Sequence, residues 1–149
     1  MKRFVILTAF VFAACAPPPP PKVAEPKPDP TTESWYGEAV TQLAGLNREA
    51  ERLLRVGKPD EAAAAITKGQ PLENRLLSAP YPTLAAMEAA SDLDDLYGRM
   101  LLANGNVGWA RLQFQKNVVR WRAWKPASEE SARRLKQALA AVADCDRRL

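Results

Sequence analysis

The sequence contains no histidine at all, and only two cysteines, Cys15 and Cys145, in 149 residues. Without histidine the commonest general base and a favoured metal ligand are both missing. Two thiolates are too few for a structural zinc site. No metal and no cofactor is therefore expected, and any catalysis would have to rest on carboxylates or lysines. No carboxylate pair suited to glycoside chemistry stands out either, so the chain is read as a non-enzyme. No apolar run reaches the roughly 20 residues that a membrane-spanning helix requires. Strong net charge is also lacking: the whole chain carries +4, and its 21 basic side chains less Lys2 and Arg3 leave 19 against 17 acidic ones. That near-balance speaks against a nucleic-acid partner. Alternating runs of β-branched residues are absent as well, which removes the usual signature of strands.

What the chain does have begins at its first residue. Lys2 and Arg3 precede an apolar run, Phe4 to Ala14, interrupted only by Thr8. This length suits the core of an export signal. The run ends in Phe12-Ala13-Ala14-Cys15, which resembles the lipobox of bacterial lipoproteins, with Phe12 where that family most often has leucine. The resemblance implies that residues 1–14 are a removable signal peptide and that Cys15 becomes the first residue of the mature chain. It also implies a membrane partnership through diacylglycerol on the Cys15 thiol and an acyl group on its nitrogen. Each buried methylene of such chains adds about 0.8 kcal/mol, so two or three chains anchor stably. The residue after the cysteine is Ala16 rather than the aspartate that marks inner-membrane retention, which by the same resemblance implies the outer membrane, facing the periplasm. A rival reading is ordinary cleavage after Ala16, within Ala14-Cys15-Ala16, against which Pro17 stands immediately beyond the cut.

Residues 15–33 read as a lipidated cysteine followed by a linker. Pro17 to Pro21 is unbroken, and three more prolines follow by Pro30, so eight of the chain's 13 prolines fall here. Proline supplies no amide donor and fixes its φ, which favours polyproline II over helix or ladder. At about 3.1 Å per residue, some eighteen such residues could act as a spacer of roughly 55 Å.

Residues 34–149 are rich in alanine, leucine, arginine and glutamate, which predicts an all-α domain. Turn chemistry divides it into five helices, at about 34–56, 60–78, 83–104, 107–124 and 128–147. Gly57-Lys58-Pro59-Asp60 ends the first and starts the second, with Asp60 as expected N-cap. Ala79-Pro80-Tyr81-Pro82 separates the second from the third, where Thr83 is the natural cap. Asn104-Gly105-Asn106 closes the third, Lys125-Pro126 the fourth, and Ser128 opens the fifth.

The domain also repeats itself. At an offset of 48 residues, Ala50 corresponds to Gly98, Leu53 and Leu54 to Leu101 and Leu102, Gly57 to Gly105, Ala62 to Ala110, and Ile66 to Phe114. These are the residue types that a helical hairpin needs. Small residues let antiparallel helices approach, leucines fill the seam, glycine turns the chain, and a branched or aromatic side chain closes the interface. The pattern resembles the tetratricopeptide repeat family, above all in Val56-Gly57-Lys58-Pro59-Asp60-Glu61-Ala62. The resemblance implies a short array of hairpins over residues 43–69 and 91–117, a capping helix over 128–147, and a role in binding an envelope protein or peptide. A compact five-helix bundle is the alternative.

A candidate partner-binding surface lies in the fourth helix. No acidic residue occurs between Asp95 and Glu129, while Arg111, Lys116, Arg120, Arg122 and Lys125 do, together with three of the four tryptophans, Trp109, Trp121 and Trp124. Tryptophan and arginine are the side chains that most often carry interface energy, so Trp109, Arg111, Arg120, Trp121, Arg122 and Trp124 are the candidates, for an acidic peptide or, in the alternative, for peptidoglycan or an anionic membrane surface. In the plainer reading Ala110, Phe114, Val118 and Trp121 form a core stripe and the cations face water. The acidic group Glu88, Asp92, Asp94 and Asp95 is expected to offset this basic helix across the hairpin or to face water. Cys145 is expected either as a small buried residue or as one half of an intermolecular disulfide. Ser34-Trp35-Tyr36 is expected to seal the end of the first hairpin.

Overall fold

The computed structural model describes residues 28–149. The expected signal segment, the Cys15 lipidation site and the linker as far as residue 27 lie outside the described residues. Within them the protein is all-α: a 3-10 turn at Pro30–Thr32, then α1 Ser34–Arg55, α2 Pro59–Leu77, α3 Leu84–Ala103, α4 Val107–Ala123 and α5 Glu129–Arg148. No described helix is long and apolar enough to cross a membrane.

The helix limits follow from local chemistry. Thr83 caps α3 by accepting from the Ala86 amide at 3.3 Å. Ser128 and Ser131 exchange bonds at the start of α5, which satisfies two amides that would otherwise lack partners. One expected cap is corrected. α2 begins at Pro59, so Asp60 sits in its first turn beside Glu61 and is not the N-cap. Proline at the first helical position has its φ preset and needs no amide partner, which moves the start forward. At the end of the expected linker Asp29 accepts from the Thr31 amide at 2.9 Å and folds Pro30–Thr32 into a turn against α1.

The 48-residue correspondence is physical. After α1 the Gly57 amide bonds the Leu54 carbonyl and the Lys58 amide bonds the Leu53 carbonyl; after α3 the Gly105 amide bonds Leu102 and the Asn106 amide bonds Leu101. Both turns are Schellman motifs with the glycine at positive φ, 74° and 76°. Ala50 and Ala62 are fully buried where α1 meets α2, and Ala110 where α3 meets α4. Gly98 lies under Phe114, so closely that a Cβ there would stand 2.6 Å from the ring. Ile66 and Phe114 are both buried and close their respective hairpins.

The hairpins α1–α2 and α3–α4 pack on each other through α3, which contacts α1 and α2, while α5 packs chiefly on α4. Two apolar clusters result. Tyr36, Leu43, Ile66, Leu76, Leu93 and Leu96 join the first three helices; Ala110, Phe114 and Cys145 join α4 to α5, with Leu101 and Val142 at the edge. Between them runs a buried polar layer of Asn47, Glu73, Ser91, Asp94 and Asn117.

Candidate functional site

α4 is the one helix that meets α3 on one side and α5 on another, and its residues sort by which neighbour they face. Trp121 is interior, 3 % exposed, with its indole Nε1 donating to Ser91 Oγ at 2.9 Å. Arg134 of α5 lies 5.4 Å from its ring. The Arg120 side chain is only 8 % exposed and donates to Asp94 at 2.9 Å and Glu73 at 3.2 Å, besides bonding Asn117 Oδ1. Trp121 is thus corrected from partner-facing to internal, continuing the Ala110–Phe114 core stripe at helical spacing, while Arg120 commits its guanidinium to buried acids and shows only a small part of its side chain to the surface. Arg111 is engaged as well, bonding Asp146 of α5 at 2.5 Å. Arg122 is exposed, and Trp109 is exposed at the far end of the helix. Trp109 and Trp124 are 15 residue steps apart, about 22 Å along the helix direction. The six candidates do not form one patch.

Of the acidic group only Asp94 meets the basic helix α4; Asp92 pairs with α5 and Asp95 with Arg99 of its own helix. Asp94 is buried against Lys116 and Arg120, at 2.8 and 2.9 Å, and Asp92 reaches Arg134 of α5 at 2.6 Å. Glu73 completes the buried network. Burial, and then the nearby Asp94 carboxylate, push its acid up to about 7, only partly offset by Lys116 and Arg120. Burial also pushes Asp95 up, against the pull of Arg99.

A surface that the sequence reading overlooked lies on the other side of α4. Leu112, Val119 and Ala123 recur at helical spacing opposite Ala110, Phe114 and Trp121, and all three are exposed. Facing them is the α2–α3 connection: Leu77, Pro80, Tyr81 and Pro82, with Met87 behind. Together with Lys116 and Trp124 they form an open groove of about 1070 Å³. Tyr81 is 84 % exposed and Val119 63 %, which is far more than packing against neighbours would leave. Trp124, at the end, stacks edge-on to Trp121 with ring centroids 6.5 Å apart, so the core fixes its orientation. No carboxylate lines the groove, whereas Lys116, Arg120 and Lys125 do. The available signal in the sequence was that α4 carries apolar residues on two opposite faces. Only one of those faces can be core.

The opposite surface, between α1 and α3, is polar. Arg48, Glu51, Arg55, Asp92, Asp95 and Arg99 line a smaller cleft. Its charges are largely paired, Arg99 bonding both Glu51 at 2.5 Å and Asp95 at 2.9 Å. Cys145 is fully buried against α4, and burial pushes its thiol up. Tyr36 is buried with its hydroxyl donating to the Leu76 carbonyl and accepting from the Thr83 amide, each at 3.3 Å, while Trp35 stacks under Arg75. Among the described residues no group of three or more acidic or thiol side chains is placed to hold a metal ion. No protein-family model, curated protein or solved structure matches the chain.

Proposed function

We infer that this chain is a lipid-tethered adaptor of the bacterial cell envelope, without catalytic activity, that holds a protein or peptide partner near the membrane. The tether rests on the lipobox-like Phe12-Ala13-Ala14-Cys15, the reach on the proline-rich segment after it, and the hairpin array on the tetratricopeptide likeness of its turns. The observation that carries the binding role is the apolar groove walled by Tyr81 and floored by Leu112 and Val119. Large apolar side chains grouped in a concavity, rather than scattered singly, mark a surface meant to be covered. A membrane-surface role has less to rest on, because Arg111 and Arg120 are already engaged by Asp146, Glu73 and Asp94.

The test is in cells. A photoreactive amino acid at position 119 is expected to crosslink to an envelope protein, whereas the same group at Arg48, in the polar cleft, gives no such product. Cys15→Ser should move the chain from the membrane to the soluble fraction and lose the mass of the acyl groups. An unchanged mature mass rejects the tether, and no protein crosslink at position 119 rejects the adaptor.

A further inference from the structure

We propose that the groove over α4 takes an amphipathic helix whose apolar stripe is flanked by carboxylates. This rests on the adaptor reading and names the chemistry of the partner. Three observations select it.

The first is polar satisfaction. A chain laid into an apolar groove must pair its own amides and carbonyls, since an unmade bond there costs about 1–3 kcal/mol. No strand, and so no sheet edge, exists among the described residues to do that for it. The side chains of the lining that can hydrogen-bond, Tyr81, Gln115, Lys116, Arg120, Trp124 and Lys125, are mostly donors and could not pair a bare backbone's amides in sequence. A helix satisfies its backbone internally and needs only an apolar stripe to meet the groove.

The second is length. From Leu112 to Ala123 the exposed stripe spans 11 residue steps, about 16 Å along α4, which is three helical turns. An occupant with apolar residues at i, i+4, i+7 and i+11 matches that span.

The third is charge. The lining has no acid, Arg122 and Lys125 are exposed beside it with no ion-pair partner in the described structure, and Lys116, though bonded to Asp94, keeps about half its side chain exposed. Two other occupants fit less well. The chain's own residues 16–27 carry Lys22 and Lys27 against Glu25, and so bring positive charge to a positive rim. A second copy of this chain would bring the same basic rim to itself.

The experiment uses the full chain and synthetic probes, read by fluorescence anisotropy. One probe is a fluorescein-labelled helix of roughly 14 residues with leucines at the spacing above and glutamates on both flanks. A second carries lysines on the flanks instead, and a third has the sequence of residues 16–27. The glutamate probe is expected to bind at least about tenfold tighter than the lysine probe and to weaken as salt rises. Val119→Asp should abolish binding of both helices, and Arg122→Glu with Lys125→Glu should reverse their order. These positions are exposed, so circular dichroism should show the fold unchanged. Equal binding of the two helices, no binding of either, preference for the third probe, or dimers that Val119→Asp dissolves would each overturn the proposal. A protein crosslink at position 119 alongside any of these results would leave the adaptor standing and reject only the acidic helix.

Discussion

Arg120 Nη2 sits 2.9 Å from Asp94 Oδ2, with both side chains almost wholly withdrawn from water. α4 is thereby pinned to α3, and through Glu73 to α2, by one buried cation. Replacing Arg120 with methionine keeps the volume but leaves two buried acids with only the half-exposed Lys116. A loss of about 3–5 kcal/mol is expected, because stranding a buried charge costs far more than the pair contributes. Urea unfolding measures it. A loss below about 1 kcal/mol would mean that water reaches the network.

Glu73 gives stability a defined pH dependence. Its acid rises from 4.5 to about 7 on folding, so between those values the folded protein holds a proton that the unfolded chain has released. This stabilising contribution is complete below pH 4.5, declines as pH rises, and is gone above 7. Its size is about 3 kcal/mol. Glu73→Gln keeps a donor toward Asp94 without the charge. It should flatten this part of the stability curve and exceed the parent at pH 8; an unchanged slope in thermal melts from pH 5 to 8 would reject the assignment.

Gly98 and Gly45 are both helical, yet alanine should act oppositely at the two. At Gly98 a methyl would meet the Phe114 ring at 2.6 to 3.0 Å, and that ring is itself buried. Overpacking of this kind costs about 1–3 kcal/mol. At Gly45 the nearest atom is the flexible Arg48 guanidinium at 3.9 Å. The gain there should be about 0.5–1 kcal/mol from a stiffer unfolded chain. Paired denaturation curves decide both, and a stable Gly98→Ala protein would show that the hairpin can open to admit the methyl.

Cys145 has no exposed surface and a thiol made less acidic by burial. In a Cys15→Ser chain, where it is the single thiol, reaction with an aromatic disulfide reagent should proceed at the rate of opening and accelerate sharply in denaturant. Immediate reaction in buffer, or a disulfide-linked dimer, would contradict its placement.

The helices were legible because their ends are written in local chemistry: Thr83 and Ser128 as caps, Gly57 and Gly105 as turns. The repeat was legible because Ala50, Ala62, Gly98 and Ala110 are small for a reason that acts at short range. The cap expected at Asp60 falls two residues earlier, at Lys58, because Pro59 takes the first helical position and draws Asp60 into the first turn. The site was less readable. Trp121 and Arg120 have the composition of an interface, but their partners, Ser91, Glu73 and Asp94, are 26 to 47 residues away in the chain. No local pattern reports such a pairing. Leu112 and Val119 could be seen as a second stripe, but Tyr81 joins them only once α2, α3 and α4 are packed.

The two bonds of the Tyr36 hydroxyl have a mechanical consequence. Any pull arriving along the chain from upstream of residue 28 passes the short Pro30–Thr32 turn and reaches the first turn of α1, where Tyr36 is fastened to Leu76 and Thr83. The residues between those two anchors include Pro80, Tyr81 and Pro82, which wall the groove. In the adaptor proposed above, tension between the N-terminal segment and a partner in the groove would therefore cross a few residues at one end of the molecule. The load would fall on the open end of the first hairpin, where Tyr36 joins α1 to α2, and not on its Gly57 turn.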